Sequence, residues 1–210
     1  MTDPLLQFAN VQWDAIVLAG GRSSRLGGVD KTALRFEGMS LLDHALAAVA
    51  GARRAVVVGP GRLRDRVGPG VEVVTEHPRF GGPAAATAAG MAALGVDAPP
   101  RVAVLAADLP FAREALDELL AAGGLGAEVD GVVAGDQTGR IQPLLAVYDS
   151  AALTRAATTA GDLTHASMRS LIGGMRLRPV RILDGLCADI DTPLAAEQHG
   201  IMLEPDYADV

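Results

Sequence analysis

What this 210-residue chain has little of bounds its chemistry before any motif is considered. Its one cysteine, Cys187, excludes a disulfide framework and any cysteine-rich zinc site. The four histidines, at positions 44, 77, 165 and 199, lack the spacing of metal ligands. Seven residues are aromatic, whereas 38 are alanine. Lysine is scarcest: of 18 basic residues 17 are arginine, and only Lys31 departs from the pattern. No segment reads as a membrane span, since the uncharged stretch from Gly81 to Val96 is mainly Ala and Gly and too short. The start, MTDPLLQFANVQWD, lacks the basic residues and apolar run of a signal peptide, so a cytoplasmic location is expected.

What is present points to a folded domain. Half the residues are apolar, which excludes a disordered chain, and the length suits one domain with a real core. The net charge of −7 is unevenly spread, with +3 over residues 1–70 and −10 over 71–210. An acidic surface argues against nonspecific nucleic-acid binding, which rests on neutralising phosphates. The slightly basic first third still suits a small phosphorylated ligand.

Short β-branched runs alternate with Ala/Leu-rich stretches. Strands are expected at AIVLAG from Ala15, AVVVG from Ala55, VEVV from Val71 and VAVLAA from Val102. Three more are expected at GVVAG from Gly131, LLAVY from Leu144 and LRPVRIL from Leu177. Helices are expected at 40–50, 84–94, 112–122, 150–160, 165–172 and 193–199. Continuous apolar strands separated by helices indicate a sheet covered on both faces. The short loop GDQTGRIQ between the strands near 131 and 144 indicates one antiparallel pair. The expectation is an α/β fold: a three-layer α/β/α Rossmann-like domain with a mostly parallel, mixed sheet of about seven strands. Ligands of such sheets bind at the carboxyl ends of the strands, so the residues just after each strand matter most.

The first strand exits into LAGGRSSRLGGVDKTAL, residues 18–34. Glycines there let backbone N–H groups approach a phosphate, and Arg22, Arg25 and Lys31 supply charge to neutralise a triphosphate. The alternative is a Gly-rich turn with solvated arginines. Two familiar loops do not fit. A Walker loop needs Gly before Lys-Ser/Thr, and Asp30 stands there. The dinucleotide fingerprint G-x-G-x-x-G is absent. A lone ammonium in an arginine-rich chain differs from a planar guanidinium, because a point charge can sit between oxygens of two phosphates.

The stretch Leu18 to Lys31 resembles the signature loop L-A-G-G-x-S-x-R-[ML]-G-x-D-K of the molybdenum cofactor guanylyltransferases, with one extra glycine. The resemblance extends from about Asp14 to Glu197. It implies one nucleotidyltransferase domain over 14–201, with an N-terminal extension over 1–13 and an acidic tail over 202–210. It also implies transfer of GMP from GTP to the terminal phosphate of molybdopterin, with Mg²⁺ as cofactor and pyrophosphate as product. Ala19, Gly20 and Gly21 match the guanylyltransferases, whereas cytidylyltransferase relatives usually have Ala-Ala-Gly. On this basis Leu18, Ala19, Gly20, Gly21, Arg22 and Lys31 bind nucleotide, and Lys31 and Arg25 stabilise charge during transfer.

Asp108, in VAVLAADLPF, is either a Mg²⁺ ligand at the same sheet edge or the N-cap of the next helix. Its A-x-D-x-P setting resembles the family's metal-binding aspartate motif, which gives it catalytic, metal and nucleotide roles. Gly82 and Pro83, in GGPAAATAAGM, resemble the family's G-P-L-A-G segment beside the base, with Ala84 and Ala86 departing from it. Gly59 departs too, where some members carry asparagine. Gln142 and Pro143 belong either to the acceptor pocket or to a plain β-turn. Arg169, in HASMRSLI, either meets the acceptor's phosphate or sits on a solvent face. Near the end, Asp189 and Asp191 in CADIDTPLAAE both suit one Mg²⁺, with Asp189 also a candidate on the acceptor side and Asp191 a candidate metal ligand.

The partners implied are GTP and molybdopterin, with other cofactor-biosynthesis or molybdoenzyme-maturation proteins, and neither nucleic acid nor membrane. Three other readings stay open: cytidylyl transfer to the same cofactor, guanylyl transfer to another phosphorylated small molecule, and a non-catalytic nucleotide-binding partner.

Overall fold

A computed structural model describes residues 11–21, 31–122, 128–136, 138–183 and 185–186. Seven strands form the central sheet: β1 (Trp13–Leu18), β4 (Ala55–Val58), β5 (Val71–Val74), β6 (Arg101–Ala106), β7 (Gly131–Gly135), β8 (Ile141–Asp149) and β9 (Leu177–Arg181). Their order is β5-β4-β1-β6-β8-β7-β9. β5, β4, β1 and β6 are parallel, β8 opposes both β6 and β7, and β9 is parallel to β7. The sheet is therefore mixed with a single reversed strand, which makes two antiparallel pairs: β7–β8, as expected, and β6–β8 in addition.

Alternation along β1 shows how three layers arise. Ala15 and Val17 face one side with α1 (Leu41–Ala48) and α3 (Ala112–Ala121), packing with Leu42, Leu116 and Leu119. Ile16 and Leu18 face the other with α2 (Pro83–Leu94), α4 (Ser150–Thr159) and α5 (Met168–Leu171), among Met91, Leu94 and Leu153. Successive strand side chains point to opposite faces, so a fully buried strand needs apolar residues throughout.

The alanine-rich α2 lies close on the sheet. A Cβ at Gly90 would stand 2.6 Å from Ile16 Cγ2, so the helix approaches β1 nearer than any side chain allows. Gly90 is where this approach occurs.

Three expectations need correction. β8 begins at Ile141 and not at Leu144, so Gln142 and Pro143 are strand residues and the plain-turn reading fails for them. Only the preceding residues turn, with Gly139 N–H donating to the Asp136 carbonyl. The helix expected over 165–172 is the short α5, capped by the Ser167 side chain. A small hairpin, β2 (Arg35–Phe36) with β3 (Met39–Ser40), was not foreseen. Its two-residue turn holds both Glu37 and Gly38 at positive φ, and Glu-Gly is a weaker turn signature than Asn-Gly. The helix expected at 193–199 lies outside the described residues.

Candidate functional site

Order in the sheet fixes where a ligand can go. β4 lies on one side of β1 and β6 on the other, so chain connections diverge above the carboxyl end of β1 and leave a crevice there. A cleft of about 1230 Å³ occupies this place. Residues following β1, β4, β5 and β6 line it, as do the first residues of β8. β8 contributes its beginning because it is the reversed strand.

Lys31 and Asp108 meet in the cleft. Lys31 Nζ lies 3.2 Å from Asp108 Oδ2, with both side chains 22% exposed. Lys31 opens a one-turn 3-10 segment, Lys31–Ala33, whose Thr32 is buried. Arg66 holds that segment by donating to the Thr32 hydroxyl and to the Thr32 carbonyl, each at 3.1 Å. Asp108 follows β6 and is not the helix cap, since the N-cap of α3 is Phe111, without a side-chain cap bond.

Leu18, Ala19, Gly20, Gly21, Gly82 and Pro83 line the same cleft. A Cβ at Gly20 would stand 3.9 Å from both Glu76 Oε1 and the Val58 carbonyl. That is ordinary contact, so the protein alone would admit alanine here, and the glycine leaves space for a ligand. At Gly59 the reverse holds: a Cβ would lie 2.9 Å from the Ala19 carbonyl, so the asparagine of some family members has no room. Gln142 and Arg169 line the cleft on the β8 side, and Arg169 also donates to the Ile141 carbonyl at 2.8 Å. It is thus tied to the start of β8 at the cleft wall. Arg22, Arg25, Asp189 and Asp191 lie outside the described residues.

Several lining residues carry no motif and were missed: Arg62, Thr75, Glu76, Arg79, Phe80 and His165. Glu76 is buried, and its Oε1 accepts from the Phe80 N–H at 2.9 Å. Thr75 donates to the Gly59 carbonyl at 2.8 Å. The usable signal was position, because Thr75 and Glu76 directly follow β5. No group of three or more His, Cys, Asp or Glu gathers among the described residues. A hard cation at Asp108 would also take phosphate oxygens and water as ligands, a set that suits Mg²⁺. No helix among the described residues is long and apolar enough to cross a membrane.

Comparison with known proteins agrees with this geometry. A molybdenum cofactor guanylyltransferase of Acidiphilium cryptum (strain JF-5) is 37% identical over 113 residues, 51% of this chain and 56% of that protein. Another, of Shewanella sp. (strain ANA-3), is 30% identical over 116 residues, 54% of this chain and 57% of that one. The chain spans a little over half the length of these curated relatives. Among solved structures, molybdopterin-guanine dinucleotide biosynthesis protein A from Archaeoglobus fulgidus superposes with a TM-score of 0.66 at 20% identity, covering 89% of this chain and 96% of that one. The inositol-1-phosphate CTP transferase from T. maritima gives 0.70 at 17% identity, covering 91% and 95%. At these identities the two structures establish the fold, which is that of nucleotidyltransferases. The sequence model of the MobA-like NTP transferase domain matches residues 15–180, and the chain belongs to that family.

Proposed function

We propose that this protein transfers GMP from GTP to the terminal phosphate of molybdopterin, releasing pyrophosphate. The observation that carries the reading is the Lys31–Asp108 pair, set where connections diverge above β1 and flanked by Gly20 and Gly21. The names of the relatives point to the same substrates.

In this reading an oxygen of the acceptor phosphate attacks the α-phosphorus of GTP, and the bond to pyrophosphate breaks. A phosphate nucleophile is already ionised at neutral pH, so no protein base is needed. The protein's work is positioning and neutralising charge. The Lys31 ammonium lies against the phosphates and stabilises charge on the transferred and leaving groups, with Arg22 and Arg25 from the same loop assisting. Asp108, joined by Asp191, would hold Mg²⁺, whose chemistry is to draw charge from the phosphate oxygens. The base lies toward β5, where the buried Glu76 carboxylate suits the N1–H and N2–H donors of guanine. Gln142, Arg169 and Asp189 serve the acceptor on the β8 side.

The test is incubation with Mg²⁺, molybdopterin and each nucleoside triphosphate in turn, following pyrophosphate and the dinucleotide product. GTP should give both. Product from CTP alone would overturn the base assignment, and nucleotide binding without product would favour a non-catalytic role.

A further inference from the structure

Phe80 has an unusual combination of properties. Among the described residues, four large hydrophobic side chains are exposed, and Phe80 is the aromatic one, at 43%. Its φ is 60°, a left-handed conformation that a bulky side chain adopts only under constraint. Such strain clusters at ligand sites, where the surrounding structure imposes it.

The constraints on Phe80 are visible. Its N–H is held by Glu76 Oε1 at 2.9 Å. The next residue, Gly81, has no space for a Cβ, which would fall 2.9 Å from the Pro78 carbonyl. The Gly81 carbonyl in turn accepts the His165 N–H at 2.6 Å. The segment is clamped from both sides, and the ring lines the cleft instead of the core. The Arg79 guanidinium carbon stands 5.6 Å from the ring centroid, a cation–π contact that packs the ring from one side.

We propose that Phe80 is the stacking platform for the guanine base of the bound nucleotide, with Arg79 bracing the ring. The inference rests on the nucleotide reading of the cleft. Position selects the base over the acceptor heterocycle. Phe80 is bonded to the residue that follows β5, at one edge of the sheet, whereas Gln142 lies on β8, beyond β6. Lys31 and Asp108 stand between them, after β1 and β6, so the phosphates separate base from acceptor.

The experiment uses the full chain with GTP, molybdopterin and Mg²⁺. Phe80→Asn removes the ring and keeps a residue that tolerates left-handed backbone. Its KM for GTP should rise about 10-fold, within the range for loss of one base–aromatic stack, with kcat and the acceptor's KM held. Its Tm should not fall, and Phe80→Trp should restore the KM. In a Trp13→Phe background, which leaves the introduced indole as the sole tryptophan, GTP alone should quench its emission saturably, at the dissociation constant found by calorimetry. Calorimetric binding without an emission change would overturn the platform, and so would a shift in the acceptor's KM in place of that for GTP. A lowered Tm with an unchanged KM would mark Phe80 as structural. Absence of GTP binding by the wild-type protein would overturn the nucleotide reading itself, and this inference with it.

Discussion

Lys31 and Asp108 come from positions 77 residues apart and meet at 3.2 Å, and their roles are separable. Lys31→Ala removes the ammonium proposed to meet the phosphates, and Asp108→Asn removes the carboxylate proposed to hold the cation. Each is expected to lower turnover about 100-fold or more while the far-UV spectrum stays that of the wild type. Turnover near wild type in either variant would falsify the assignment. The sequence pointed to both residues because one sits in a recognisable loop and the other directly follows a strand. Glu76 and Phe80 belong to no motif; Glu76 was signalled only by its position after β5, and the place of Phe80 in the cleft became visible only with the fold.

At the level of elements, two packing devices carry predictions. Gly90 lets α2 rest on β1. Gly90→Ala gains about 1 kcal/mol of helix propensity. Overpacking a buried contact costs about 1–3 kcal/mol, and here the new methyl meets the fully buried Ile16. The net expectation is a lower Tm, and with Ile16→Ala, which removes Cγ2, the double mutant should lose less than the sum of the two single changes; additivity would refute the contact. At the other edge of the sheet, Asp130 precedes β7 and Arg176 precedes β9. Arg176 donates to both Asp130 oxygens, at 2.9 and 3.1 Å through its side chain, and its backbone N–H donates as well. These bonds hold the Asp130 carboxyl down at about 2. A carboxyl depressed on folding adds stability that is complete above its unfolded value, near 3.8, and lost as pH falls through about 2. Asp130→Asn should therefore flatten the stability profile between about pH 4 and 2 and lower stability at neutral pH, as read by urea unfolding at several pH values.

For the molecule as a whole, composition itself gives a chemical probe. With one lysine in the chain, a lysine-selective acylating reagent has Lys31 and the α-amino group as its targets. Mass spectrometry should show acylation of Lys31 rising in step with the loss of activity, and GTP with Mg²⁺ should slow both. Complete acylation with activity retained would count against Lys31 at the phosphates. The two-sided core was readable from β1, β4 and β6, whose continuous apolar runs admit no solvent-facing side. The hairpin at 35–40 was not, because four paired residues are too few to show a period. The start of β8 was hidden by Gln142 and Pro143, which fitted a turn as well as a pocket wall until Gln142 paired with Ala134 of β7, leaving Pro143 at the irregularity in that ladder.

The scarcity of lysine, the Gly-rich exit from β1, the aspartate after β6 and the alternation of apolar runs are local properties, and from them the sequence by itself determined the fold class and marked the candidate residues for a phosphorylated ligand. Strand order and direction depend on pairing between distant segments, which no local pattern encodes. Only the tertiary structure decided that β8 runs in reverse and brings Gln142 to the cleft, that Gly59 leaves no room for a side chain, and that a phenylalanine with left-handed backbone lines the cleft. Each is set by atoms from other elements of the fold, brought together when the sheet forms.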